Sequence, residues 1–287
     1  MIYLFGNCQT GFLCDALCAL GVPATSRQLA SPLTYVQSPG QVDAELAAMA
    51  QEHQVEDFFH LRSLFNQMVL LDASDQPPDL AVFSMFHEPG PLFLHKDKDF
   101  SFFIDPAVME ARPLFGDYLR KYYRSIGLNP TTYFQRFGQM VERFRVDHPA
   151  IPLLILTRLS HFPGFGPRPW SYLECWDMAW QDAVQALEPF AASLDQCRVL
   201  NLDQVFASIW NSLGQTCIEA HCPFLRFTES GVATPFHPEP VRRDVEHVGS
   251  MWPVLAEIVA QYARTGVLHL PGDTSLPHAW GSEHRPE

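Results

Sequence analysis

The sequence predicts an α/β protein, a three-layer αβα domain built on a parallel sheet, and two observations lead to this fold class. Short apolar runs without polar alternation recur along the chain, as in strands that are buried on both faces of a sheet. Segments with helical spacing of apolar residues separate these runs. Such alternation is typical of a parallel sheet with helices on both faces.

The first predicted element is a strand, Ile2–Phe5, that ends at Gly6. A helix with apolar residues from Phe12 to Leu20 follows, and Gly21 is its natural stop. The remaining predictions, in chain order, are a helix over 41–54, a strand over 79–86, a helix over 131–148, a strand over 151–157, a helix over 171–187, a strand over 198–202, a short helix over 205–213 and a last helix from Ser250 to Gly266.

The chain shows no linker-like change of composition and no internal repeat. We therefore expect a single α/β domain over residues 1–270. Its segment of about 87–130 is rich in Phe, Pro and Asp, and its poor periodicity predicts an irregular insertion. Residues 271–287 are polar and rich in Pro and Gly, which predicts a loose tail.

Charge and cysteine content restrict the partners and the compartment. The net charge of −13 argues against a nucleic-acid-binding protein, which needs basic residues against phosphates. The longest aliphatic run, Leu153–Leu156, is too short for a transmembrane helix, and the start at Met1 lacks the basic region of a signal peptide. An odd number of cysteines, seven, favours free thiols. We therefore expect a cytoplasmic protein.

The first strand ends in Gly6, Asn7, Cys8 and Gln9. In parallel α/β sheets, ligands bind beyond the carboxyl ends of the strands, so this turn is a candidate site. Cys8 directly precedes a predicted helix, whose amino terminus favours the nucleophilic thiolate. The alternative is that Cys8 is a small buried residue of the core.

A strand that runs into Gly6-Asn7-Cys8-Gln9 and then into a helix resembles the WcbI-type polysaccharide biosynthesis family, whose fold is related to the SGNH/GDSL hydrolases. In those hydrolases the same turn carries G-D-S, with Ser as the nucleophile, so the resemblance places Cys8 at the nucleophile position. It implies a flavodoxin/SGNH-like sheet and a protein that binds coenzyme A without a metal. Acyl-CoA would be the acyl donor and a polysaccharide or glycan the acceptor.

The chain also departs from the hydrolase pattern. Asn7 replaces the Asp of G-D-S, and Cys8 replaces the Ser. No G-x-N-D block follows the predicted strand over 79–86, where Ser84, His87 and Glu88 occur instead. The Asn that would complete an oxyanion hole is therefore absent from this position.

Three histidines are candidates for the general base. The hydrolase pattern has D-x-x-H just before the last helix, and Asp244 with His247 meets it, the acid orienting the imidazole. His237 lies in the same loop, where its alternative role is a turn histidine bonded to the backbone. His161 follows the strand over 151–157 and opens a Gly- and Phe-rich loop, 161–169, that could receive an adenine or simply be a rigid surface loop.

Four arginines lie in or beside the same loops and are candidates for binding the phosphates of coenzyme A, because guanidinium groups bind phosphate in a bidentate manner: Arg158, Arg168, Arg242 and Arg243.

The other cysteine patterns predict no function. Cys217 and Cys222 lack the second pair that a structural zinc site needs. Cys14 and Cys18 share one side of the first helix, where packing is the ordinary explanation.

Three functions are consistent with these residues. The first is a CoA-dependent acyltransferase with a glycan-type acceptor, with Gly6, Asn7 and Gln9 beside the nucleophile. The second is an SGNH-like esterase or thioesterase with a cysteine nucleophile. The third is a non-catalytic module that binds coenzyme A or a nucleotide. The sequence leaves the acceptor, the acyl group and the oligomeric state open.

Overall fold

The computed structural model describes residues 1–6, 9–29, 32–37, 41–59, 67, 70–71, 76–85, 92–127, 130–157, 185–202, 204–205, 226–228, 244–246 and 251–270. The strands are β1 (Ile2–Gly6), β2 (Ala24–Gln28), β3 (Leu80–Ser84), β4 (Leu92–His95), β5 (Ser101–Phe103), β6 (Tyr123–Ile126), β7 (Leu153–Leu156), β8 (Cys197–Leu200), β9 (Arg226–Thr228) and β10 (Asp244–Glu246). The helices are α1 (Gln9–Ala19), α2 (Pro32–Gln37), α3 (Ala44–Glu52), α4 (Val108–Ala111), α5 (Pro113–Tyr122), α6 (Pro130–Asp147) and α7 (Met251–Thr265), with a 3-10 turn at Glu56–Phe59.

The main sheet is parallel throughout, in the order β2-β1-β3-β7-β8. This order is that of doubly wound, flavodoxin-like sheets, in which the chain moves outward from the first strand on one side and then on the other. The sequence prediction of a parallel α/β sheet is therefore confirmed.

Side chains alternate between the two faces of this sheet, and each face has its own buried cluster. Leu4 and Val82 face α1 and α7, whereas Phe5 and Phe83 face α2, α6 and the helical residues 185–193. On the second face the rings of Phe5 and Phe83 stack at 5.0 Å, and Phe144 of α6 meets the Phe83 ring edge-on at 5.1 Å. These two clusters hold helices against both faces and make the predicted three layers.

Two helices end where the sequence predicts. Gly21 has φ +74° and donates its N–H to the carbonyl of Cys18, and Gly266 has φ +69° and donates to the carbonyl of Tyr262. A left-handed residue after the last turn satisfies the free carbonyls of a helix, and glycine adopts this conformation without steric cost.

The segment predicted to be irregular instead contains regular structure over residues 92–126. Strands β4, β5 and β6 form an antiparallel sheet in the order β5-β4-β6, and α4 and α5 pack with α3 around it. The buried cluster includes Phe59, Phe93, Phe102 and Phe115. Strands of three or four residues are too short to show a period, so the Phe-rich composition was the signal of this second core.

The structure adds β2 and α2, which the sequence did not predict. The side chains of residues 24–27 in β2 are half-buried because β2 is the edge of the sheet, so the strand lacks the apolar run that marks the central strands. Most of the helices predicted over 171–187 and 205–213 lies outside the described residues, as does the tail over 271–287. Within the described part of the chain, no helix combines the length and apolarity needed to cross a bilayer.

Candidate active site

The order of the parallel sheet creates a switch point between β1 and β3. The chain leaves β1 toward β2 on one side, whereas β3 leads to β7 and β8 on the other. Connections that diverge from two adjacent strands leave a crevice between them at the carboxyl edge, and ligands of open α/β sheets bind there. This edge is where β1 ends at Gly6 and β3 ends at Ser84.

Gly6 is held in close contact with both neighbours of this crevice. A Cβ atom on Gly6 would lie 2.6 Å from Cγ2 of Thr10, in the first turn of α1, and 3.0 Å from Cβ of Ser84. Its carbonyl accepts a hydrogen bond of 2.7 Å from the N–H of Leu29, which follows β2. The end of β1 is therefore closely packed against α1 and β3, and a side chain at position 6 would require Thr10 or Ser84 to shift.

The neighbouring strand ends are joined by backbone hydrogen bonds. Met85 donates its N–H to the carbonyl of Leu156 at 2.9 Å, and Thr157 donates to Leu200 at 3.1 Å. The hydroxyl of Thr157, which is fully buried, accepts the N–H of Leu202 at 2.9 Å. These bonds make the carboxyl edge a rigid platform next to the switch point.

The start of α7 lies beside the start of α1. The rings of Phe12 and Trp252 stack with their centroids 5.8 Å apart and their planes at 27°. Both residues belong to the first turns of their helices. The chain therefore enters α1, directly after Cys8, and α7, shortly after Asp244, at neighbouring positions in the fold.

The structure describes three of the predicted site residues. Gly6 ends β1, Gln9 is the first residue of α1, and Asp244 opens β10, whose backbone pairs antiparallel with β9 at Thr228. The others lie outside the described residues: Asn7, Cys8, Arg158, His161, Arg168, His237, Arg242, Arg243 and His247. Their roles stay predictions.

Two further residues line the turn at the switch point without having been assigned to the site from the sequence. Thr10 is buried and Ser84 is half-buried, and both lie against Gly6. Ser84 lies within the strand predicted over 79–86, two residues before the predicted end. The apolar pattern of this strand does not by itself indicate that it is the neighbour of β1.

Two other described cysteines are poor nucleophiles. Burial is the main cause that raises the pKa of Cys14 to about 11, with the adjacent Cys18 thiol as a further cause. Burial likewise raises the pKa of Cys197 to about 11, although Arg145 and Arg198 act in the opposite direction. Because the thiolate is the nucleophilic form, neither cysteine is activated at neutral pH.

The described residues contain no group of three or more His, Cys, Asp or Glu side chains that could together hold a metal ion. The loop of His161 and the segment from Cys217 to Cys222 lie outside those residues.

The comparisons with known proteins identify no family. No protein-family profile matches the sequence, and no curated protein sequence matches it. Among solved structures, the chain is similar to a family 2 carbohydrate esterase with a carbohydrate-binding domain from Corynascus thermopiles (Myceliophthora fergusii), at 13% identity over 93% of this chain and 66% of that one, with a TM-score of 0.39.

The chain is also similar to a family 2 carbohydrate esterase from Clostridium thermocellum in complex with cellohexaose, at 12% identity over 70% of this chain and 53% of that one, with a TM-score of 0.32. It thus spans between about half and two thirds of the length of these two structures. With identities below 25% and TM-scores below 0.5, this likeness supports no conclusion about the activity of the chain.

Proposed function

We propose that this protein is an acyltransferase that uses Cys8 to move an acyl group from acyl-CoA to a hydroxyl of a carbohydrate. The observation that carries the proposal is the packing of Gly6 against Thr10 and Ser84, because it holds the end of β1 and the start of α1 at the switch point of the sheet. Cys8 belongs to this turn by its place in the sequence. The acyl donor and the carbohydrate acceptor come from the family resemblance.

The chemistry follows from the position of Cys8 ahead of a helix. The first N–H groups of α1 have no partner within the helix, and together with the helix dipole they favour a thiolate over a thiol. The thiolate would attack the thioester carbonyl, and coenzyme A would leave as its thiolate, which then takes a proton from water. An acceptor hydroxyl would then attack the acyl-cysteine, which releases the Cys8 thiolate.

The second step needs a base that removes the proton of the acceptor hydroxyl. The neighbouring starts of α1 and α7 support the pair Asp244 and His247, since this pair directly precedes α7. His237 and His161 are the rival bases. Arg158, Arg168, Arg242 and Arg243 are the residues that we expect to bind the phosphates of coenzyme A.

Intact-protein mass spectrometry after incubation with acetyl-CoA tests the proposal. We expect one acetyl group on the wild type and on Cys18→Ser, and none on Cys8→Ala. Cys18→Ser is the matched control because Cys18 is exposed and lies on the same helix. Acetylation that persists in Cys8→Ala would refute the cysteine nucleophile.

Two further measurements separate the alternatives. Because a ligand that binds only the folded protein stabilises it, coenzyme A should raise Tm of the wild type. An unchanged Tm at millimolar coenzyme A would exclude a coenzyme A site. Release of acetate from acetyl-CoA or from acetylated sugars, without transfer to any acceptor, would assign the site to an esterase or thioesterase instead.

A further inference from the structure

Cys14 and Cys18 form a pair of thiols on α1 that the proposed reaction does not use. They lie four residues apart and so share one side of the helix. Cys14 is half-buried and packs against the cluster between the sheet, α1 and α7, whereas Cys18 is exposed. Packing in the core, the role predicted from the spacing, therefore explains a cysteine at position 14 but not one at the exposed position 18.

The two thiols contact each other and the same neighbouring strand. Cys14 and Cys18 are hydrogen-bonded to each other, and Cys14 has a backbone hydrogen bond with Ser26. The thiol of Cys18 donates to the carbonyl of Ala24 at 3.8 Å. Ala24 and Ser26 belong to β2, the edge strand of the sheet. The thiols thus lie between a helix and a sheet edge, with one of them open to solvent.

The spacing of this pair suits a bridging atom better than a disulfide. In a helix, Cβ atoms of residues four apart are about 5–6 Å from each other. A disulfide needs Cβ atoms at about 3.5–4.5 Å, so its formation would distort the last turn of α1. An atom bonded to both sulfurs adds two bonds, each about 2.3 Å long for zinc and thiolate, and spans the larger separation without distortion.

We propose that Cys14 and Cys18 form a binding site for a soft, thiophilic centre that bonds to both sulfurs across one turn of α1 and displaces the two thiol protons. Thiolates select soft centres over hard cations, and two of them suffice for a two-coordinate cation or for a trivalent arsenic atom that keeps one organic substituent. The site is independent of the acyl-transfer proposal, since it requires neither Cys8 nor coenzyme A.

Phenylarsine oxide is a probe of this site. Two S–H bonds and the arsenic–oxygen bond break, two arsenic–sulfur bonds form, and the two protons leave with the oxygen as water. The oxidation state of arsenic does not change. We expect one adduct per wild-type chain by intact-protein mass spectrometry, stable to excess 2-mercaptoethanol and removed by 1,2-ethanedithiol. We also expect the bound probe to raise Tm.

Cysteine variants show whether the phenylarsine adduct forms on Cys14 and Cys18. Cys18→Ser and Cys14→Ser should each lose the adduct and the rise in Tm, while Cys8→Ala and the double variant Cys217→Ser/Cys222→Ser should keep both. Because Cys18 is exposed, Cys18→Ser should leave the Tm of the unbound protein unchanged. The proposal is overturned if the wild type forms no adduct that resists 2-mercaptoethanol, or if the adduct survives in Cys18→Ser.

Discussion

At the scale of single residues, Gly6 and Gly11 lie five residues apart in the sequence but tolerate an added side chain very differently, and this difference is testable. A Cβ atom on Gly6 would lie 2.6 Å from Thr10, whereas a Cβ atom on Gly11, inside α1, has no neighbour within 4 Å. Overpacking of this kind costs about 1–3 kcal/mol. In a helix interior, replacement of Gly by Ala instead stabilises by about 0.5–1 kcal/mol.

We therefore expect Gly6→Ala to lower the free energy of unfolding and Gly11→Ala to raise it, as measured by urea denaturation. Gly6→Ala should also lower acyl transfer more than stability alone explains, because it displaces the end of β1, two residues before Cys8, relative to Thr10 and Ser84. Equal stability of the two variants would contradict the close packing at the end of β1.

At the scale of elements, Asp43 joins the start of α3 to the turn between β4 and β5. Its carboxylate accepts the N–H groups of Glu45 and Leu46 as an N-cap and pairs with Lys98. Burial opposes ionisation of Asp43, but the hydrogen bonds from Lys98 and from Leu46 outweigh it, so its pKa lies below the usual value. This contribution to stability is therefore complete above a pH of about 4 and is lost as the pH falls through the folded pKa.

Two substitutions of Asp43 distinguish its role as the N-cap of α3 from the role of its negative charge. Asp43→Ala should destabilise by about 1 kcal/mol at neutral pH because it removes the cap. Asp43→Asn keeps a capping oxygen, so it should cost less at neutral pH and flatten the loss of stability in acid. Urea denaturation at several values of pH measures both, and an unchanged acid dependence in Asp43→Asn would contradict the assignment.

Gln67 completes the outer edge of β5. Its side-chain amide donates to the carbonyl of Phe103 at 2.8 Å and accepts the N–H of the same residue at 2.7 Å, as a neighbouring strand would. The side chain is buried. Gln67→Leu leaves both backbone groups without this partner and should destabilise by about 1–3 kcal/mol for each group that stays buried.

Gln67→Glu is the sharper control at neutral pH, because an ionised carboxylate can still accept from the N–H of Phe103 but cannot donate to its carbonyl. Hydrogen exchange at the Phe103 amide should therefore rise in Gln67→Leu and stay slow in Gln67→Glu. Unchanged exchange at Phe103 in Gln67→Leu would show that this side chain does not protect the edge.

The elements that could be predicted from the sequence are those whose burial is dictated locally. Ile2–Gly6 and Leu153–Leu156 are strands with every side chain buried, so their apolar runs predict them. The edge strand β2 and the short strands β4 and β5 depend on pairing with distant segments, which a local pattern does not contain. The strand-end rule makes Gly6–Gln9 a candidate site, which stays a prediction, whereas the position of Ser84 next to Gly6 depends on strand order.

At the scale of the whole molecule, the main sheet and the antiparallel sheet have separate cores. The ring of Phe102 stacks on Phe93 at 5.8 Å and meets Tyr123 edge-on at 5.3 Å, while the clusters on the main sheet consist of other described residues. A hydrogen bond of 2.9 Å from Gln37 of α2 to Asp99 joins the two parts. Separate cores favour unfolding in separate steps.

The matched variants Phe102→Ala and Phe137→Ala test this division, since each removes a fully buried ring, one from each core. Each substitution should destabilise its own core by about 3–5 kcal/mol. Hydrogen exchange should therefore rise in β4, β5 and β6 of Phe102→Ala while the amides of β1, β3 and β7 stay protected, and Phe137→Ala should expose the main sheet. If Phe102→Ala released the amides of both sheets together, the two cores would form one cooperative unit, and the antiparallel sheet would be a structural part of the platform that carries the site.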